Sequence, residues 1–126
     1  AGGFRTDLGR TGRSMLLGED SEFGEQLAQL GKRIVYSPSC RIQHFISSNK
    51  ISRQSIKTRW EGAGATTRAC YELQGRKLNL KDKLHTFIRM RQQFGKSLRY
   101  RISGKRKAAF QSELNALRIR GFLFKM

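Results

Sequence analysis

The fold is decided by residues 18–38, GEDSEFGEQLAQLGKRIVYSP, which combine a helical pattern with an extended one. Acidic residues gather in 18–22, where a helix dipole stabilises negative charge, and apolar residues follow at spacings of four and three before Gly31. This pattern predicts a helix over about residues 20–30. Residues 33–36 are then β-branched or aromatic and stop at Ser37-Pro38, which predicts a short strand.

On the C-terminal side of this stretch, residues 40–45 alternate well enough to predict a second short strand, so that two strands flank a proline turn. Ser52 is suited to cap a helix that reaches about residue 73. The helical period places its inward side chains at Ile56, Trp60, Ala63 or Gly64, Thr67 and Tyr71.

Beyond Gly75, apolar residues recur at helical spacing, and Lys and Arg fill most of the other positions. This pattern predicts a basic amphipathic helix, which Gly104 interrupts, followed by one more short helix. Its apolar positions are Leu80, Leu84, Phe87, Ile88, Phe94, Leu98 and Ile102, and those of the short helix are Phe110, Leu114 and Leu117.

Charge is the strongest compositional signal. The 126 residues include 26 Lys or Arg and 9 Asp or Glu, a formal net charge of +17, and residues 81–126 alone hold 13 basic and 2 acidic residues. Such a chain is attracted to phosphate-rich partners or anionic lipid. No apolar run approaches the roughly 18 residues that a membrane-spanning helix needs, so no segment is expected to cross a bilayer.

The two cysteines, Cys40 and Cys70, lack the paired spacing of zinc sites, and we expect reduced intracellular thiols, with a disulfide between them as the alternative. Residues 1–17 are rich in glycine and arginine, which predicts a flexible basic loop. They begin with neither an initiator Met nor a signal peptide, which favours a start inside a longer protein.

One set of residues, taken in order, forms a recognisable pattern: Ala1-Gly2-Gly3-Phe4-Arg5, Leu8-Gly9, Leu17-Gly18-Glu19-Asp20, Leu27, Gly31 to Pro38, His44 and Arg59-Trp60. With this pattern, residues 1 to about 70 resemble the second half of bacterial family-two inverting nucleotide-sugar glycosyltransferases. The resemblance implies an α/β fragment, the acceptor-side portion of a nucleotide-diphospho-sugar transferase domain, with a helix, a short strand pair and a helix, followed by basic amphipathic helices. We expect residues 1–78 to be the C-terminal part of the catalytic domain and residues 79–126 to be a basic helical extension.

The resemblance maps the catalytic carboxylates to Glu19 and Asp20, with Asp20 as the base. Attack of an acceptor hydroxyl on the anomeric carbon, opposite the leaving nucleotide, requires a carboxylate within hydrogen-bond reach of that hydroxyl. A single displacement of this kind inverts the anomeric configuration. Without this context, Glu19-Asp20 is more typical of simple helix capping.

Other site residues follow from the same resemblance. Gly2, Gly3 and Phe4 would line the acceptor side of the donor sugar, and His44 would lie near the donor diphosphate, as a ligand of Mg²⁺ or Mn²⁺ or as a partner of phosphate. The alternative for His44 is a histidine without a ligand, which is also our interpretation of His85. Arg59 would stabilise the leaving diphosphate, whereas Trp60 suits either a sugar ring or core packing.

Two departures from the family pattern limit this interpretation. Ile56 and Lys57 precede Thr58-Arg59-Trp60 in place of a Gln-rich motif, which favours a single-transfer enzyme over a processive polymerase. The donor-binding strands and their Asp-x-Asp motif are absent from these 126 residues, so the fragment alone is expected to be inactive.

The expected partners are a nucleotide-diphosphate sugar and a saccharide or lipid-linked acceptor in polysaccharide biosynthesis. We expect a cytoplasmic location, with the basic tail either attached to an anionic inner membrane face or packed on the catalytic domain. The alternative functions are nucleic-acid binding, which the charge favours, and a non-catalytic helical interaction module.

Overall fold

A computed structural model describes residues 3–5 and 18–124, and all their regular secondary structure is helical. Four α-helices follow one another: α1 (Glu19–Gln29), α2 (Arg53–Leu73), α3 (Leu80–Ile102) and α4 (Arg106–Phe124). A single 3₁₀ turn, Ser48–Ile51, precedes α2. The predicted helices near 20–30, 52–73 and 80–102 are confirmed, and the last helix is longer than expected.

Two helices begin at side-chain caps. The Ser55 amide donates to Ser52 Oγ at the start of α2 (3.1 Å), and the Asp82 amide donates to Asn79 Oδ1 at the start of α3 (2.8 Å). Each cap satisfies an amide that has no partner within its own helix. The cap predicted at Ser52 is therefore confirmed.

Three helices end at glycine. Gly104, after α3, has a φ of 72°, and the Lys105 amide beyond it donates to the Tyr100 carbonyl at 2.8 Å. Gly31 and Gly75 end α1 and α2 with the same left-handed backbone and the same hydrogen-bond pattern. Because a side chain is strained in this conformation, glycine fixes where each helix stops.

Helix α4 is the centre of a three-helix bundle, since it packs against both α2 and α3. Lys57 pairs with Glu113 and Glu61 with Arg120, so residue numbers rise together along α2 and α4, and these two helices are parallel. The connection between α3 and α4 spans only residues 103–105, and α3 is antiparallel to α4.

Helices α2 and α4 meet backbone to backbone at two glycines. A Cβ atom built on Gly64 would lie 1.9 Å from the Arg118 carbonyl oxygen, and one on Gly121 would lie 2.0 Å from the Glu61 carbonyl oxygen. Any side chain at either position would push the helices apart. The reciprocal arrangement brings each carbonyl against the opposite helix, where Cα–H groups are weak donors.

The core is built mainly from small side chains. Its buried apolar residues are Ala65, Ala69, Met90, Ala109, Leu114, Ala116 and Leu117. The predicted inward face of α2 is therefore mostly wrong: Trp60 and Tyr71 are only half-buried and Thr67 is exposed, whereas Glu61 and Ala65 are buried. Because α4 packs closely on α2, the face of α2 with small residues is buried. Hydrophobic periodicity predicts instead that the face with larger side chains is buried.

The predicted α/β fold is wrong, because none of the described residues forms a strand. The proline turn is present, with the Cys40 amide donating to the Ser37 carbonyl at 3.2 Å, but residues 33–36 and 40–45 do not pair across it. Their apolar side chains face solvent, and Tyr36 is 87% exposed. A two-stranded hairpin is marginal in water unless its apolar face packs on something, and here Ile34 touches α1 at Gly24 while it stays 69% exposed.

Candidate functional site

The head of α1 is where the sequence placed the catalytic carboxylates. Gly18 caps the helix with a φ of 100°, and Glu19, Asp20 and Glu22 occupy the first turn. Asp20 is exposed, and its Oδ1 accepts a hydrogen bond from the adjacent Ser21 amide at 2.8 Å. The carboxylate is therefore oriented by its own helix and open to solvent, beside backbone amides that stabilise negative charge.

Residues 3–5 lie against this helix. The Phe4 ring packs on the Phe23 ring of α1, with centroids 4.5 Å apart, and the adjoining Gly3 has a φ of 82°. Gly3 and Phe4 are both exposed. Of the three predicted residues in this segment, Gly2 lies outside the described residues.

Helix α2 packs against the head of α1. A Cβ atom on Gly18 would lie 3.2 Å from Thr66 Cγ2, so the cap of α1 sits directly on α2. Arg59 precedes Thr66 by seven residues, two helical turns, and therefore lies on the same face of α2. The structure thus brings two predicted site elements, residues 3–4 and α1, into contact, and α1 rests at Gly18 on the face of α2 that carries Arg59 about 10 Å further along the helix.

Cys70 lies one turn after Thr66 on α2, and charged residues of α1 and of residues 3–5 affect the pKa of its thiol. Burial raises the pKa of the Cys70 thiol, the negative charges of Glu25 and then Glu22 raise it further, and Arg5 acts in the opposite direction. The thiol is therefore held protonated, which makes it a poor nucleophile. Both Cys70 and the exposed Cys40 are free, as predicted.

Trp60 and Arg59 line a shallow groove with Ile56 and Ala63 of α2 and Arg118 of α4. Trp60 is half-buried there and Arg59 is exposed. The indole therefore serves the packing of α2 while one face stays accessible, which leaves both predicted roles of Trp60 in place.

His44 is not brought to the carboxylates by any described contact; it is exposed on the extended segment after the proline turn. Across residues 3–5 and 18–124, no group of three or more His, Cys, Asp or Glu side chains is placed to hold a metal ion. The Mg²⁺ or Mn²⁺ site at His44 stays a prediction.

A second polar site, which sequence reasoning missed, lies at the other end of the bundle. We call it the cationic cleft; Arg53, Lys57, Arg101, Arg106, Ala109, Phe110 and Glu113 line it. Its four cations surround one carboxylate. Because they come from three helices that are distant in sequence, only the packing of α4 between α2 and α3 assembles them.

Glu113 organises the cationic cleft. It pairs with Lys57 Nζ at 2.6 Å and with Arg101 Nη2 at 2.7 Å. Burial alone would raise the pKa of Glu113, but the hydrogen bonds and charges of Lys57 and Arg101 outweigh it and lower the pKa below its usual range. The Arg53 guanidinium carbon lies 5.2 Å from the centroid of the Phe110 ring, over its face. With four cations and one carboxylate, the cleft has a net positive charge.

No protein-family model matches the sequence, and neither the search of curated proteins nor the search of solved structures found a match.

Proposed function

We propose that this chain is the acceptor-side portion of an inverting glycosyltransferase, which moves a sugar from a nucleotide-diphosphate sugar to an acceptor hydroxyl. The observation that carries the proposal is the packing of Phe4 on α1 and of the α1 cap on the α2 face that carries Arg59, with Asp20 exposed at the head of α1. The resemblance assigns these elements to one site, although Gly3 and Arg59 are 56 positions apart in the sequence.

In the proposed reaction, Asp20 is the general base. The acceptor oxygen forms a bond to the anomeric carbon while the bond from that carbon to the nucleoside diphosphate breaks on the opposite face. Asp20 takes the proton of the acceptor hydroxyl, for which its oxygen has to lie within about 3 Å of that hydroxyl. Glu19, half-buried beside it, adds negative charge that favours proton transfer.

Arg59 suits the leaving group in this scheme. Arg59 is exposed on the α2 face that carries Thr66, and an arginine there would stabilise charge developing on a diphosphate. Trp60 would offer its accessible face to a sugar ring. His44 would meet the donor diphosphate, as a ligand of a divalent ion or as a partner of phosphate, and the donor-binding strands of the family would hold the nucleotide.

The proposed location is the cytoplasmic face of a membrane, with a lipid-linked saccharide as acceptor. No described helix is both long enough and apolar enough to span a bilayer. Attachment would therefore be peripheral, through the basic C-terminal helices. Nucleic-acid binding is the second candidate, favoured by the four cations and the aromatic ring of the cationic cleft.

The test is Asp20→Asn in the complete enzyme, with release of nucleoside diphosphate measured against a panel of nucleotide sugars. We expect kcat to fall by about 10²–10⁴, the usual contribution of a general base, with little change in KM for the donor. Glu25→Gln is the matched control, because it removes an exposed carboxylate from the same helix one to two turns later. Unchanged transfer by Asp20→Asn would overturn the proposal.

A further inference from the structure

Helix α3 presents its apolar side to solvent. The buried residues of α3 are Met90 and Ser97, and Ser97 Oγ donates to the Ala109 carbonyl at 2.8 Å. The other large aliphatic and phenylalanine side chains of α3 are between 36% and 82% exposed. We call them the α3 stripe; its residues are Leu80, Leu84, Phe87, Ile88, Phe94, Leu98 and Ile102. The usual arrangement of an amphipathic helix in a soluble bundle is thus reversed.

The α3 stripe runs along the helix, and each of its residues is exposed among the described residues. Its spacing keeps it on one side of a 23-residue helix, which is about 35 Å long. Thr86 and Arg89, which do not belong to the stripe, line the groove that α3 shares with α2. At one end, Leu123 and Phe124 of α4 extend the stripe into a shallow apolar groove with Leu80, Leu84 and Phe87.

The charge around the α3 stripe identifies the kind of surface that fits it. Helix α3 carries seven Lys or Arg and one Asp. Arg101 of the cationic cleft directly precedes Ile102, so a cluster of cations borders the stripe at its other end. A second copy of this chain would bring cations against cations, whereas an anionic lipid surface complements both the apolar stripe and its basic borders.

We infer that α3 lies in the plane of an anionic membrane surface, with the α3 stripe inserted between lipid headgroups and its basic residues on lipid phosphates. Arg91, within the stripe, would lay its aliphatic stem along the apolar surface and extend its guanidinium to the phosphates. The inference rests on the proposed membrane location of the enzyme and does not depend on sugar transfer.

The first experiment measures binding of the full chain to sedimented vesicles, either phosphatidylcholine with one quarter phosphatidylglycerol or phosphatidylcholine alone. We expect at least tenfold tighter binding to the anionic vesicles. Leu84→Gln with Leu98→Gln should weaken that binding at least tenfold without loss of helix content, because both side chains are about 60% exposed. Ile42→Gln with Phe45→Gln is the matched control off the stripe and should stay within twofold.

The second experiment locates the contact. Trp60 is the chain's one tryptophan and lies on α2. In vesicles that contain brominated lipid, Leu98→Trp in a Trp60→Phe background should lose at least half of its fluorescence, whereas Trp60 of the native chain should lose little. Undiminished binding of the Leu84→Gln, Leu98→Gln variant would overturn the inference. So would a Leu98→Trp probe that stays unquenched on bound protein.

Two further outcomes separate this inference from the proposed catalysis. Asp20→Asn should bind anionic vesicles as the native chain does, because Asp20 is not on α3. If vesicle binding is absent while Asp20→Asn still abolishes sugar transfer, the membrane inference alone is wrong. Tight binding to random RNA without binding to vesicles would also overturn it and favour nucleic acid as the partner.

Discussion

Residues 53–124 and residues 18–51 differ in how they use their apolar side chains. The C-terminal region packs three helices through small residues, with Ala116 fully buried and the Gly64 and Gly121 backbones in contact with the facing helix. No residue in 18–51 is buried, although this region holds Ile34, Val35 and other large apolar side chains. Burial therefore follows the availability of a packing partner rather than the hydrophobicity of a segment.

The difference also bears on function. Segments with few buried contacts open most easily, and binding and catalytic segments are drawn from them. The proposed base Asp20 lies in the loosely packed region, whereas the wall behind it, α2, belongs to the bundle. A well-packed helix beside a loosely packed segment suits a site whose conformation changes on binding.

The largest expected effect comes from breaking the bundle at its closest point. Gly64→Ala places a methyl group 1.9 Å from the Arg118 carbonyl oxygen. Neither backbone can move to relieve this clash without separating α2 from α4. We expect the free energy of unfolding to fall by roughly 3 kcal/mol or more, measured by chemical denaturation followed by circular dichroism.

Gly95→Ala is the control for this substitution. Gly95 lies inside α3, and a Cβ built there would meet no atom within 4 Å beyond its chain neighbours and the nearby backbone of its own helix. The same chemical change should therefore stabilise the chain by about 0.5–1 kcal/mol through helix propensity alone. If Gly64→Ala were also neutral or stabilising, the close crossing of α2 and α4 would be wrong.

A smaller effect is expected at Glu113 in the cationic cleft. Its pKa is lowered in the folded state, so its contribution to stability is complete above the unfolded value of about 4.3 and is lost as pH falls through the folded pKa. Glu113→Gln should cost about 1–2 kcal/mol at pH 7, because it leaves Lys57 and Arg101 facing each other. It should also flatten the loss of stability below pH 4.

Thermal unfolding between pH 3 and pH 7 measures both parts of this prediction. Glu72→Gln is the matched control, since its partner Arg68 lies four residues away on the same helix, and such pairs contribute only about 0.2–0.5 kcal/mol. If Glu113→Gln and Glu72→Gln lowered the stability equally, Glu113 of α4 would not stabilise the bundle through Lys57 of α2 and Arg101 of α3.

Helix boundaries were the most predictable part of the fold. They depend on local chemistry: the Ser52 hydroxyl at the start of α2, and glycines such as Gly31 and Gly104 at helix ends. The strand pair was not predictable in the same way, because alternating apolar residues favour a strand only when a neighbouring strand or packed layer exists. The buried face of α2 was missed because glycine and alanine carry little hydrophobic signal but permit close helix contact.

The candidate site was predictable where it depends on one helix. Acidic residues after Gly18 predicted Asp20 at the head of α1, and the structure has it there. The contacts of Phe4 with Phe23 and of Gly18 with Thr66 depend on tertiary packing, which residue spacing does not encode. The cationic cleft was missed for the same reason, since Arg53 and Arg106 are brought together only by the bundle.

Hydrogen exchange of the backbone amides, measured by mass spectrometry on the 126-residue chain, compares the two regions most directly. We expect amides within α2, α3 and α4 to exchange at least about 100-fold more slowly than those in residues 32–46, which have almost no backbone partners. Protection of residues 33–36 and 40–45 equal to that of the helices would indicate a paired strand hairpin. That result would contradict the helical fold described for this chain.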